Sequence, residues 1–110
     1  MTTRLVLSIF NGSMDAKARK ALETIRDSVA AKRYTVSQHF TQRMDERAFF
    51  WPDILAVLDR PGKVRDDGRD RYGRPKWIIA GNTPDSVALE MVCAIDTDGR
   101  GRSTVFITIY

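Results

Sequence analysis

Two runs of β-favouring residues, Val87 to Ile95 and Ser103 to Tyr110, flank the stretch Asp96-Thr97-Asp98-Gly99-Arg100-Gly101-Arg102. Aspartate and glycine at that density fold a chain back on itself, so the C-terminal end reads as an antiparallel hairpin. Upstream, Pro75 to Ala80 precedes the turn signal Gly81-Asn82-Thr83-Pro84-Asp85 and reads as another strand. Lys63-Val64-Arg65 reads as a fourth, with the polar loop Asp66 to Arg71 following it. A meander of this kind must bury one face against other elements.

Those elements are helical and come first. From Met14 to Arg33 the apolar residues Ala18, Ala21, Leu22, Ile25, Val29 and Ala30 recur at helical spacing. Ser13 or Asp15 can cap the start, and Lys32-Arg33 suit the negative end of the dipole. After a brief extended stretch, Tyr34-Thr35-Val36, Ser37 can cap a second helix running to about Arg47, with Phe40, Met44 and Ala48 as its stripe. Pro52 and Asp53 suit the first turn of a third, whose stripe is Ile54, Leu55, Val57 and Leu58 before Arg60-Pro61-Gly62 stops it. Phe49-Phe50-Trp51 reads as a core plug between the two helices, the alternative being an exposed base-stacking platform. The expected architecture is α+β, with N-terminal helices packed on one face of a small antiparallel sheet. Residues 1–33 form an arm and a helix, residues 34–110 the α+β unit, and the two together one compact domain.

At 110 residues a single core can hold this fold without staples. One cysteine, Cys93, excludes an intramolecular disulfide and a cysteine metal cluster, and one histidine argues against a His/Cys zinc site. No cofactor is expected. No run approaches the ~18 apolar residues of a membrane span. Leu5 to Phe10 is short for a secretory core and reads as a short strand, a docking arm or a frayed terminus. A cytoplasmic location with no membrane partner follows as the expectation. The net charge is +4, and 13 of the 18 basic residues are arginine, whose planar fork matches phosphate oxygens. A solubility role for that charge is the alternative.

Three arrangements could carry chemistry. A hairpin centred on Gly99 would set Glu90 opposite Thr108 and Ala88 opposite Tyr110. Alternation would turn Thr104, Phe106, Thr108 and Tyr110 one way and Ser103, Val105, Ile107 and Ile109 the other. The result is a carboxylate, a hydroxyl and a phenol on one mixed face, or an ordinary solvated one. On the second helix His39, Arg43 and Arg47 recur every four residues, each step turning only about 40°. A histidine moves protons near neutral pH, and arginines beside it bind phosphate and stabilise developing charge. That is what an RNA-cleaving site without a metal requires; a half-buried histidine with arginines paired to Asp45 and Glu46 is the alternative. Finally, Arg60 to Lys76 holds seven basic residues interrupted by Asp66, Asp67 and Asp70. There Arg65, Arg69, Arg71, Arg74 and Lys76 could track an RNA backbone while a base stacks on Tyr72, unless the loop is merely solvated.

The order Ser37-x-His39-x-x-x-Arg43-Met44-x-x-Arg47, Asp53 to Leu58, a Pro-Gly stop, Tyr72-Gly73, and two long strands ending in Thr108-Ile109-Tyr110 resembles the domain of unknown function 4258. The resemblance covers about Tyr34 to Tyr110. That family is similar to the BrnT, MqsR and RelE-like toxins of type II toxin–antitoxin operons, small α+β proteins that cleave RNA without a metal. The resemblance implies a metal-independent endoribonuclease toxin with His39 as general acid or base and Arg43 and Arg47 on the scissile phosphate. Thr108 and Tyr110 would form the facing half of the site. It implies RNA and a cognate antitoxin protein as partners, the antitoxin acidic or flexible where it covers the basic surface. The competing expectations are a non-catalytic RNA- or protein-binding module, and an adaptor forming a homodimer through Leu5 to Phe10.

Overall fold

Asp15 decides where the first helix begins: its Oδ1 accepts the Ala18 amide at 2.7 Å, so α1 runs Ala16–Ala30 in the computed structural model, which describes residues 14–110. Ser13 and the Leu5 to Phe10 run lie outside the described residues. The helix stops three residues short of the expected Arg33, because Lys32 turns left-handed at φ 60°. Arg33 then serves the sheet rather than the helix end: its Nε and Nη1 donate to the carbonyls of Arg102 and Arg100 at 3.0 and 2.7 Å.

β1 (Tyr34–Val36) leads directly into α2 (Gln38–Arg47). Ser37 caps α2 as its sequence suggests, accepting the Phe40 amide at 3.0 Å while its hydroxyl donates to the Ile107 carbonyl at 2.7 Å. One serine thereby fixes both the start of the helix and its position against the last strand. Ala48 does not extend the stripe; it is the left-handed residue that ends α2, at φ 55°. In α3 (Trp51–Asp59) Pro52 sits in the first turn and the Asp53 carboxylate accepts the Phe50 amide at 2.8 Å. The expected aromatic plug is only partly one: Phe49 is buried and Trp51 stacks on Tyr34, but Phe50 is 70% exposed. Leu55 is likewise exposed, so the buried stripe of α3 is Ile54, Val57 and Leu58.

Four strands form the expected meander: β2 (Lys63–Arg69), β3 (Pro75–Asn82), β4 (Ala88–Asp98) and β5 (Gly101–Ile109). The sheet order is β1-β5-β4-β3-β2, and β1 pairs parallel to β5, which makes the sheet mixed rather than purely antiparallel. β1 is free to pair in this direction because two helices and three strands separate it from β5 in the chain. β2 continues to Arg69, so the expected loop Asp66 to Arg71 shrinks to a tight turn after Arg69.

The three helices of the described residues all cover one face. Leu22 and Ile25 of α1, Phe40 of α2 and Ile54 and Val57 of α3 share a single buried cluster with Val64, Trp77, Ile79, Met91, Cys93, Phe106 and Ile109 of the sheet. Each large side chain so buried contributes about 1.5–3 kcal/mol. Phe106 is the hub, with the rings of Phe40 and Trp51 both 5.3 Å from it and that of Tyr34 at 5.9 Å. Gly81 lets α3 approach: a Cβ there would lie 3.2 Å from Val57 Cγ1 and 3.3 Å from the Gly62 amide.

The last hairpin differs from its expected register. It closes on the two residues Gly99-Arg100, so Asp98 pairs with Gly101, and a bulge between Val92 and Cys93 then lets β5 gain one residue. Two-residue turns suit strand twist better than the wider loop a Gly99 centre implies. The bulge moves the last residues to new partners and new faces. Thr104 and Phe106 turn to the helices, as does Ile109, whereas Thr108 pairs with Val92 on the opposite face. Glu90 therefore lies opposite Tyr110, with which it exchanges both backbone hydrogen bonds, and not opposite Thr108.

Candidate functional site

Strand pairing lines up Lys63, Ala80, Glu90 and Tyr110 as one row across four strands, on the face away from the helices. Paired residues point the same way, so the row sets a cation, a carboxylate and a phenol around the small Ala80. At this end of the sheet lies a cavity of about 480 Å³, lined by those four residues together with Arg47, Asn82 and small neighbours including Gly62 and Ala88. Small residues leave the hollow; long polar ones rim it. Arg47 reaches it from the end of α2, its guanidinium carbon 5.4 Å from the centre of the Phe49 ring.

Arg43 stands at the margin. Its Nε donates to the Ile109 carbonyl at 3.2 Å, its guanidinium carbon lies 5.7 Å from the Tyr110 ring centre, and Glu46 is 3.7 Å from Nη1. The arginine thus ties α2 to the end of β5 and holds the half-exposed Tyr110 ring in place. His39 lies one turn earlier on α2, about 6 Å along the axis from Arg43. Its side chain is exposed, does not line this cavity, and makes no hydrogen bond among the described residues. Thr108 is in the next row of the sheet, buried, its hydroxyl without a partner among the described residues. The fold thus gathers Arg43, Arg47 and Tyr110, sets His39 beside them on the same helix, and keeps Thr108 beneath the surface.

The basic segment is an ordered hairpin whose cations are largely committed. Arg65 lies 3.7 Å from Glu90, Lys76 is 3.4 Å from Asp67, and Arg74 bonds Asp70 at 2.7 Å. Arg69 donates to the Gly73 carbonyl at 2.7 Å. Asp70 organises the tip: beyond its bond to the Arg74 side chain it accepts the amides of Tyr72 and Arg74, both at 2.9 Å. Burial pushes this carboxyl upward, but the hydrogen bonds from Arg74 and Tyr72 outweigh it and leave the group below its usual range. Arg71 has no acidic partner among the described residues. Its guanidinium carbon and that of Arg74 lie 5.1 and 4.9 Å from the centre of the 67%-exposed Tyr72 ring. The hairpin therefore offers an aromatic ring flanked by two cations, with a weaker positive field than the seven basic residues from Arg60 to Lys76 suggest.

Two lining residues, Lys63 and Asn82, carry no sequence signal of their own; only strand register brings them beside Arg47. Glu90 is visible in the sequence as a carboxylate on a mixed face, but its partner there depends on a bulge that no local pattern announces. Cys93 is fully buried, and burial raises its thiol well above the range in which a thiolate forms, so it is a core residue and not a nucleophile. Among the described residues no three His, Cys, Asp or Glu side chains converge, and no helix is long and apolar enough to cross a membrane.

Neither curated proteins nor solved structures include a match to the chain. A family model does match residues 36–110, which begin at the last residue of β1 and take in α2, α3 and all four strands of the meander. Every residue of the cavity lies inside that span, whereas α1 lies outside it. The chain belongs to the family described as Domain of unknown function (DUF4258).

Proposed function

We propose that the protein is a metal-independent endoribonuclease toxin of a type II toxin–antitoxin system, acting on RNA at the end of the sheet where Arg43, Arg47 and Tyr110 meet. The observation that carries this reading is the meeting of Arg47, Lys63 and Tyr110 in one cavity with Arg43 at its margin and His39 one helical turn away. RNA supplies its own nucleophile, the 2′-hydroxyl, so the chemistry requires proton transfer and charge neutralisation rather than an activated water. The 2′-oxygen attacks phosphorus as its proton leaves, the bond to the 5′-oxygen breaks, and that oxygen gains a proton. The products are a 2′,3′-cyclic phosphate and a 5′-hydroxyl. His39 serves one of the two proton transfers, Arg43 and Arg47 neutralise the phosphorane, and Tyr110 positions the strand. The β2–β3 hairpin extends the contact, with Tyr72 stacking on a base and Arg71 on the backbone. A protein antitoxin with an acidic segment would cover the same cations.

A second reading rests on a specific observation: His39 has no hydrogen-bond partner to orient it among the described residues, and the same surface would serve a binding module for RNA. Induced expression in a bacterial host separates the two. Growth arrest by the wild-type chain, relieved by His39→Ala, fits the ribonuclease. Equal growth of both, with salt-dependent RNA binding and no cleavage, assigns the surface to binding alone.

A further inference from the structure

A carboxylate is out of place in a cavity that only binds phosphate, yet Glu90 stands in this one between Lys63 and Tyr110. It is not there to close an ion pair tightly. Arg65 Nη2 is 3.7 Å from Oε1, too far for a hydrogen bond, and Oε2 has no partner among the described residues. The Glu90 side chain is 41% exposed, so its lone pairs are open to a ligand. Tyr110, one strand spacing of about 4.8 Å away, is half-exposed and offers a ring for stacking. The cavity of about 480 Å³ has room for one nucleotide.

We infer that this cavity selects a guanine base, stacked against Tyr110 with its Watson–Crick edge on Glu90, while Arg47 and Lys63 hold the attached phosphate. The choice follows from the edges of the four bases. An ionised carboxylate only accepts, and it accepts best from two adjacent, parallel donors. Guanine presents N1–H and the N2 amino group side by side. Adenine and cytosine each pair one donor with a ring-nitrogen acceptor, and uracil flanks its single N–H with two carbonyls, so each of them faces Glu90 with at least one lone pair against the carboxylate. The inference rests on the reading of this surface as an RNA site and names the base that the site takes.

Calorimetric titration of the full chain at low salt with the four nucleoside 3′-monophosphates tests it. Guanosine 3′-monophosphate is expected to bind at least tenfold more tightly than the other three. E90Q, whose amide offers only one acceptor and adds a donor, should bring guanosine within about twofold of the rest or favour adenosine. Glu90→Asp, which keeps the charge but withdraws it by one methylene, should lose most of the preference, and Arg47→Ala should weaken all four nucleotides alike. Urea unfolding of each variant shows that it is folded. Four equal affinities, no binding at all, or a guanosine preference that survives E90Q would each overturn the assignment. RNA cleavage without any base preference in these titrations would sink this inference and leave the ribonuclease reading standing. A guanosine preference that depends on Glu90, in a chain that leaves RNA intact, would uphold it and remove the ribonuclease.

Discussion

The contact between α1 and the sheet yields a prediction with an unusual asymmetry. Ser28 on α1 and Thr104 on β5 are both buried, with their hydroxyl oxygens 2.5 Å apart, and Ser28 Oγ also lies 3.0 Å from the Ile25 carbonyl. A hydroxyl has one proton. The Ile25 carbonyl can only accept, so the Ser28 proton goes to it and Thr104 is the donor in the pair. Ser28→Ala then strands the Thr104 hydroxyl in the core, which costs about 1–3 kcal/mol. Thr104→Val leaves Ser28 bonded to Ile25 and replaces the Thr104 hydroxyl by a methyl group, so no donor is stranded and it should cost less than about 1 kcal/mol. The double variant should resemble Thr104→Val, not the sum of the two. Urea unfolding followed by far-UV circular dichroism reads the difference: at a typical slope of about 1–3 kcal/mol per molar urea, the Ser28→Ala midpoint falls by roughly 1 M. Equal losses, a greater loss for Thr104→Val, or strict additivity would refute the donor assignment, and an unchanged midpoint in every variant would refute the packing of α1 on the sheet.

Further outcomes follow at the hairpin and the cavity. The Asp70 carboxyl is held below its usual range, so it stabilises the hairpin tip at and above ordinary carboxylate pH and that contribution is lost as the pH falls through the lowered value. The Tyr72 and Arg74 amide resonances should therefore titrate at a pH below the usual aspartate range of about 3.9, and the transition should vanish in Asp70→Asn; titration at the ordinary value would contradict the hydrogen-bond account. Arg47→Ala and Lys63→Ala should each lower the slope of log affinity for single-stranded RNA against log salt by about 0.7, and unchanged slopes would remove these residues from the phosphate contacts.

What the sequence discloses about this chain is what short-range chemistry determines. Ser37 as a cap, Pro52 and Asp53 in a first turn, and Gly99 in a turn act within a few residues of themselves, and each is legible one segment at a time. The left-handed Lys32 carries no glycine or asparagine to mark it, so the first helix was expected to run on to Arg33, whereas α2 ends at Arg47 as its sequence suggests. The parallel pairing of β1 with β5 depends on how the whole sheet closes, and the bulge between Val92 and Cys93 is a property of two strands together. That bulge decides the partner of Glu90 and the face of Thr108. His39, Arg43 and Arg47 were legible because a helix fixes their relation by spacing alone; Lys63 and Asn82 were not, because three strand pairings bring them to Arg47.

The ends left on cleaved RNA test the central reading most directly. Purified wild-type chain incubated with a long single-stranded RNA and a chelator should give fragments carrying 5′-hydroxyl and 2′,3′-cyclic phosphate ends, and His39→Ala, folded to the same urea midpoint, should lose most of that cleavage. RNA left intact by the wild type with or without added metal, or cleaved equally by both proteins, would contradict the account.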